Sequence, residues 1–172
     1  MHEWWEPMTC TDLDAELERL HPAGFAWALA CCRRDREEAQ DVLQTSYLKI
    51  LDGRARFDGR SALKTFLFAV IRRTAAEVRR RERARAFLLT RWAPFRAPAP
   101  QTEASPGDGS LPLAVAQLAR RQREIVELVF GHDLSIAEAA RVMGVSLGSA
   151  RVHYDRAKKR LARVLSEEDK TS

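Results

Sequence analysis

Apolar side chains along this chain recur at intervals of three and four, in blocks separated by polar breaks, which is the signature of amphipathic helices. The clearest block runs from Ser135 to Leu161. Ile136, Ala139, Ala140 and Met143 form one apolar stripe, and Leu147, Ala150, Tyr154, Ala157 and Leu161 form a second. Ser135, with Glu138 three residues on, makes a capping box that starts the first helix. Gly144 ends it, because glycine takes up left-handed backbone without steric cost. Val145 plugs the turn and Ser146 caps the next helix. The outer face of that second helix carries Ser149, Arg151, His153, Arg156, Lys158, Lys159 and Arg160. A small residue, Ala140, four before the turn glycine lets the two helices cross closely, so the spacing predicts a helix-turn-helix. An αα-hairpin with a solvated basic face is the plainer reading of the same residues.

Upstream, Thr11 or Asp12 can cap a short helix through Leu13, Leu17 and Leu20 that ends at His21-Pro22. Helical pattern resumes from Phe25 to Gly53, with Phe25, Leu29 and Cys32 on one face and a polar break at Arg33 to Glu37. Ala39, Val42, Leu43, Tyr47, Ile50 and Leu51 then face a core, while Glu38, Asp41, Gln44, Thr45, Leu48 and Lys49 face outward. Leu48 is apolar on that outer face, which marks it as a docking surface. A long helix starts at Ser61 and buries Leu63, Phe66, Leu67, Val70, Ile71, Ala75 and Val78. Its other face holds Lys64, Phe68, Arg72, Arg73, Ala76, Arg79, Arg80 and Arg83. Cations with an aromatic among them suit a single nucleic-acid strand, the cations following phosphates and the ring stacking on an unpaired base. A solvated arginine face with Phe68 as peripheral core fits equally well.

Phe87, Leu88, Leu89 and Trp92 are expected to fold back on this first domain. The stretch APFRAPAPQTEASPGDGSLP abandons periodicity and reads as a flexible linker, with a mean span of roughly 25 Å as a coil. The second module begins near Leu113, where Val115, Leu118, Ile125, Val126 and Val129 supply helices that cover the helix-turn-helix. The expected architecture is all-α: an acidic segment over 1–22, a helical domain over 23–93, the linker over 94–112, a second helical domain over 113–165 and a polar tail over 166–172.

Composition narrows the function. The 172 residues carry 29 Lys and Arg against 24 Asp and Glu, a net charge of +5 that favours a polyanionic partner. That surplus lies in the middle and end, since Glu3, Glu6, Asp12, Asp14, Glu16 and Glu18 make the start acidic. No apolar run reaches membrane-spanning length, and MHEWWEP lacks the form of a secretory signal, so a cytoplasmic protein is expected. Cys10, Cys31 and Cys32 fit no zinc spacing, and His2, Cys10 and His21 are too scattered to act as ligands; buried thiols and no metal are expected. There is no glycine-rich phosphate loop and no nucleophile with a nearby base. No enzyme, no cofactor and no small-molecule substrate are expected.

Several short motifs stand in a telling order: Asp41-Val-Leu-Gln44-x-x-Tyr47, Arg56-Phe-Asp-Gly-Arg60, Leu63-Lys-Thr-Phe-Leu-Phe68, Arg121-Gln-Arg-Glu124, Ile136-Ala-Glu138 through Gly144-Val-Ser146, and Gly148-Ser-Ala-Arg151. With the linker between them, over roughly residues 24 to 163, they resemble a bacterial RNA polymerase sigma factor of the extracytoplasmic-function (ECF) group. Phe66 stands where the group often has tryptophan, Arg73 where it often has asparagine, and Ala119 where a proline is frequent. The resemblance implies a two-domain sigma factor that joins core RNA polymerase, directs it to specific promoters and helps melt the minus-ten element. It implies polymerase contacts at Asp41, Gln44, Thr45 and Leu48. Minus-ten contacts, to the unpaired non-template strand, are implied at Arg60, Lys64, Phe66, Phe68, Arg72, Arg73, Arg79 and Arg80. Duplex contacts at the minus-thirty-five element fall to Ser146, Ser149, Arg151, His153, Arg156 and Lys158. Of these, Ser149, Arg151 and His153 face base edges, Arg156 and Lys158 the backbone, and Ser146 a phosphate. An anti-sigma factor is a further implied partner. A stand-alone helix-turn-helix regulator is the competing expectation, with a first domain that dimerises or senses a signal.

Overall fold

The structure, a computed structural model, describes residues 10–92, 114–115 and 117–168. Trp4, Trp5, the linker and the last four residues lie outside these, as do the first nine residues of the acidic start. Among the described residues there are helices and no strands. They are α1 (Cys10–Cys31), α2 (Arg36–Leu51), α3 (Leu63–Trp92), α4 (Arg120–Val126) with a π-helical turn (Glu127–Gly131), α5 (Ile136–Met143) and α6 (Leu147–Glu168).

Helix α1 is one continuous element where the sequence predicts two. Pro22 lies inside it, on the exposed side. Proline there denies the Glu18 carbonyl its backbone donor, but the helix is held by what it buries on its other side. Leu17, Trp27, Ala28 and Cys32 are core residues, spaced across the proline. At Gly24 a Cβ would meet Leu43 Cδ1 at 3.3 Å and Leu67 Cδ2 and Ile71 Cδ1 at 3.6 Å, so glycine marks where α1, α2 and α3 converge. The polar break at Arg33 is real. Arg33 and Arg34 take left-handed backbone (φ 55° and 69°), and the Glu38 N–H donates to Asp35 Oδ1 at 3.0 Å to cap α2.

Helix α3 is a single 30-residue rod. Its distal part does not fold back: Phe87 and Leu88 are 66% and 59% exposed, and the side chains of Leu89 and Trp92 lie outside the described ones. A helix whose hydrogen bonds run unbroken cannot turn to bury its own end. Helix α6 likewise runs on to Glu168, into the expected tail, with the Ser166 hydroxyl donating to the Ala162 carbonyl at 2.6 Å.

The two helical units share a core. Trp27, Phe68, Leu67 and Ile71 from the first unit are continuous with Ile125, Leu128, Leu134, Ala139 and Met143 from the second. Helices α3 and α5 pack against each other, so the second unit sits on the first. A smaller cluster of Leu118, Val126 and Ala157, flanked by Leu161, holds α4 to α6.

Candidate nucleic-acid interface

The α5–turn–α6 motif forms as its local chemistry dictates. The Glu138 N–H donates to Ser135 Oγ at 3.3 Å, while the Ser135 N–H donates to Glu138 Oε2 at 2.9 Å. The Ser135 hydroxyl also donates to Glu138 Oε2 at 2.6 Å, and that bond first, then the one from the Ser135 N–H, holds the Glu138 carboxyl below the usual carboxylate range. Gly144 is left-handed (φ 64°), and the Val145 N–H reaches back to the Ala140 carbonyl at 3.1 Å. The Ser149 N–H then donates to Ser146 Oγ at 3.1 Å and starts α6.

On α6, Ala150 and Ala157 are fully buried and Tyr154 and Leu161 half-buried, as their spacing predicts. Leu147 is not: it is 39% exposed, because it stands at the first turn, beyond the edge of α5. Ser146, Ser149, Arg151, Arg156 and Lys158 are exposed and His153 half-exposed. By spacing they form two stripes, not one face: Ser149, His153 and Arg156 share one, and Arg151 and Lys158, seven apart, share the other. Phe130, 63% exposed, stacks on Tyr154 at 6.1 Å, with the Lys158 ammonium 5.7 Å from the Tyr154 ring on its way to solvent. The helix therefore presents a cationic ridge with hydroxyls at its N-terminal end. That chemistry suits phosphates and base edges in a major groove.

The arginine-rich helix α3 divides. Arg60, Arg73 and Arg80 are exposed, and Arg79 is half-buried, donating to the Cys31 carbonyl. Phe66 is half-buried against Phe57, ring centroids 5.2 Å apart. The stripe at Lys64, Phe68 and Arg72 turns inward instead. Phe68 is completely buried, which corrects its expected place on the outer face. It stacks on Trp27 at 5.8 Å and takes the edge of His132 at 4.8 Å. The Trp27 Nε1–H donates to the Phe68 carbonyl at 3.0 Å. An aromatic ring placed between two helical units loses more by facing water than by completing their shared core. Lys64 Nζ donates to the His132 carbonyl at 2.6 Å, and the Arg72 guanidinium pairs with Glu124.

His132 is thus enclosed by Trp27, Phe68 and Lys64, and its Nε2 lacks a hydrogen-bond partner. Burial, and then the Lys64 ammonium, push it down to about 4, against a smaller opposing pull from Asp133. Local periodicity does not single out Trp27 or His132. Ending a helix at Pro22 put the face of the next one on Phe25 and Leu29, one position out of phase with Trp27 and Ala28. Counting through the proline from Leu17 and Leu20 would have reached Gly24, Trp27 and Ala28.

On α2, Asp41, Gln44, Thr45 and Leu48 are all exposed, Leu48 by 53%. They line an open groove of about 600 Å³, together with Asp35, Glu37, Glu38, Glu82 and Val78. Burial, then the nearby Glu82 carboxylate, raise the Glu38 carboxyl. The groove is acidic with an apolar lip, suited to a basic partner. Burial pushes the Cys31 and Cys32 thiols up, Cys32 to about 12, so neither is a thiolate at neutral pH. Among the described residues no three His, Cys, Asp or Glu side chains gather as a metal site, and no helix is long and apolar enough to cross a membrane.

Comparison with known proteins bears on both units. Residues 17–85 match the family model of sigma-70 region 2, and residues 109–161 match that of sigma-70, region 4. No curated protein sequence matches the chain. Among solved structures, the chain is similar to the sigma factor RpoE of Bartonella quintana, crystallised with the anti-sigma factor NepR. The two are 25% identical with a TM-score of 0.67, over 91% of this chain and 98% of that one. It is also similar in fold to CnrH in complex with the cytosolic domain of CnrY, at 19% identity and a TM-score of 0.61, over 92% of this chain and 91% of the other.

Proposed function

Because this chain belongs to the sigma-70 family, as a member of its extracytoplasmic-function group, we propose that its exposed α2 face seats core RNA polymerase while its two basic elements hold promoter DNA. The family's work is transcription initiation: binding core polymerase and directing it to promoters. The observation that carries the assignment of residues is the exposure of the two α6 stripes in the second unit, together with an acidic α2 groove with an apolar lip in the first.

Asp41, Gln44, Thr45 and Leu48 form the polymerase contact. Leu48→Asp places a charge at the lip of that groove and should weaken core binding about tenfold or more, the order of 1.4 kcal/mol or above for one well-placed anchor. Equilibrium competition with wild-type chain for core polymerase reads this directly, and unchanged affinity removes the face from the interface.

In α6, Ser149, Arg151 and His153 read base edges of the minus-thirty-five element, Arg156 and Lys158 hold the backbone, and Ser146 sits at a phosphate. Arg151→Ala should cost about 1–3 kcal/mol and relax preference at one base pair. Lys158→Ala should weaken all sites alike and lower the salt slope by about one. If the two substitutions behave identically on a panel of promoter variants, this sorting is wrong.

For the minus-ten strand, Arg73, Arg79 and Arg80 supply phosphate contacts beside Phe66 and Arg60, and Lys64 and Arg72 complete the cationic track. The chain supplies no catalysis of its own, acts in the cytoplasm, and is held by an anti-sigma factor, as the complexes of RpoE with NepR and CnrH with CnrY suggest. The first domain takes in α1 to α3 and the second runs to the end of α6 at Glu168, with a linker between. The decisive experiment adds purified chain to purified core polymerase on a genomic library of promoters. A discrete set of new start sites is expected, and their absence overturns the reading.

A further inference from the structure

Val152 stands in the second turn of α6 and is 46% exposed. Ala150 and Ala157, wholly buried, mark the line along which α6 rests on the body. At about 100° per residue, Val152 falls on the opposite side of the helix from that line. Gly148, four residues before it, and Lys159, seven after, continue the same ridge, and all three are exposed. The ridge runs between the two stripes already described, with Ser149, His153 and Arg156 on one side and Arg151 and Lys158 on the other. It is the part of α6 that projects furthest from the protein and, with α6 in a major groove, deepest toward the base edges.

Folding explains neither Val152 nor Gly148. A β-branched side chain loses rotamer freedom in a helix, and Val152 lies outside both apolar clusters that could repay it. One exposed valine alone would mean nothing, but this one sits at the centre of a face otherwise made of cations, hydroxyls and Asp155. Glycine costs a helix backbone entropy. At Gly148 a Cβ would meet only Ser146 Oγ, at 4.0 Å, and the backbone there is not left-handed. A glycine that neither packing nor backbone demands leaves room for something outside the chain to come close. The two residues make a step on the ridge, bare backbone followed one turn later by two methyl groups.

Only one group in a major groove answers a valine. Valine neither donates nor accepts, and the one apolar group that base pairs present there is the thymine 5-methyl. Against any other base, the valine methyls would strip water from a donor or acceptor and return no hydrogen bond. We infer that Val152 reads a thymine: its methyls pack on the 5-methyl of one T in the minus-thirty-five element, and Gly148 lets the first turn of α6 come close enough for that contact. The inference rests on the minus-thirty-five reading of α6 and adds one letter to the site, a T·A pair that none of the polar side chains there would select by itself. One buried methyl is worth about fourfold in affinity.

The test uses the full chain bound to core polymerase, on a promoter library randomised across the minus-thirty-five element at one fixed salt concentration. Wild type should select T at one position by about fourfold, and Val152→Ala should lose that preference while keeping the others. Replacing that thymidine by deoxyuridine, which lacks only the methyl, should weaken wild-type binding about fourfold and leave Val152→Ala binding unchanged. Gly148→Ala should raise the melting midpoint, since alanine is the better helix former, yet weaken binding to the selected duplex. Selection unaltered by Val152→Ala, or thymidine and deoxyuridine bound alike, overturns the thymine contact. A loss of core-polymerase affinity in Val152→Ala makes the valine a protein contact and overturns it too. Gly148→Ala binding as tightly as wild type overturns the close approach. Ser149→Ala and Arg156→Ala separate this inference from the reading beneath it. If they weaken binding to the selected duplex while Val152→Ala does nothing, α6 still holds the minus-thirty-five element and only the thymine is lost. A library in which wild type selects nothing takes the minus-thirty-five reading down as well.

Discussion

Phe68→Ala should lower the free energy of unfolding by about 3–5 kcal/mol and the melting midpoint by about 10–15 °C. The ring is wholly buried, stacked on Trp27 and capped by the edge of His132, so its removal opens a cavity where the two helical units meet. The Trp27 Nε1–H bond to the Phe68 carbonyl fixes the first unit's wall of that space. Phe68→Leu refills most of the volume and should cost about 1.5 kcal/mol. The pair of variants separates two roles that the sequence left open. A ring that stacks on an unpaired base is worth about 1–3 kcal/mol of strand affinity. If Phe68 is core, the folded Phe68→Leu chain keeps its strand affinity, because no base reaches position 68. A tenfold loss of strand affinity with unchanged stability would return Phe68 to the strand track.

The contrast between the two ends of the chain explains what was legible in the sequence. Ser135, Glu138, Gly144, Ser146, Ala150 and Ala157 act through hydrogen bonds and backbone preferences within a few residues of themselves, so their spacing alone specifies the α5–turn–α6 motif. The outward Asp41 to Leu48 face was legible for the same reason, since one helix's periodicity decides it. Phe68 was not. Its partners are Trp27, forty-one residues upstream, and His132, sixty-four downstream, and helical periodicity carries no information about contacts between units. The proline-rich stretch before Leu113 suggested two modules on a tether, a picture in which Lys64 and Arg72 have no second unit to meet. Pro22 misled in the opposite direction: a local breaker was overridden by tertiary burial of Leu17, Trp27 and Ala28 on the far side of the helix. Phe87 and Leu88 gave an apolar signal that the rod-like α3 leaves exposed.

Acid should weaken the fold through His132 in a window that can be stated in advance. Burial and the Lys64 ammonium depress the folded-state value to about 4 from the ordinary 6.5, with Asp133 opposing. The unfolded chain therefore takes up a proton near pH 6.5 that the folded chain refuses until about pH 4. Stability is independent of this group above pH 6.5 and falls as pH drops between the two values, at up to about 1.4 kcal/mol per pH unit. Between pH 7 and pH 5 the loss is about 2 kcal/mol. Glu138 works in the same direction but lower: its carboxyl is held below the usual range by Ser135, so its contribution is lost only as pH falls below the ordinary carboxylate value. Urea unfolding at pH 7 and pH 5 isolates the histidine when wild type is compared with His132→Gln, which cannot take the proton. Wild type should lose about 2 kcal/mol more than the glutamine variant over that interval. Equal losses would mean that the imidazole is solvated in the folded chain, and the seam between Phe68 and the second unit would then be looser than its ring contacts require.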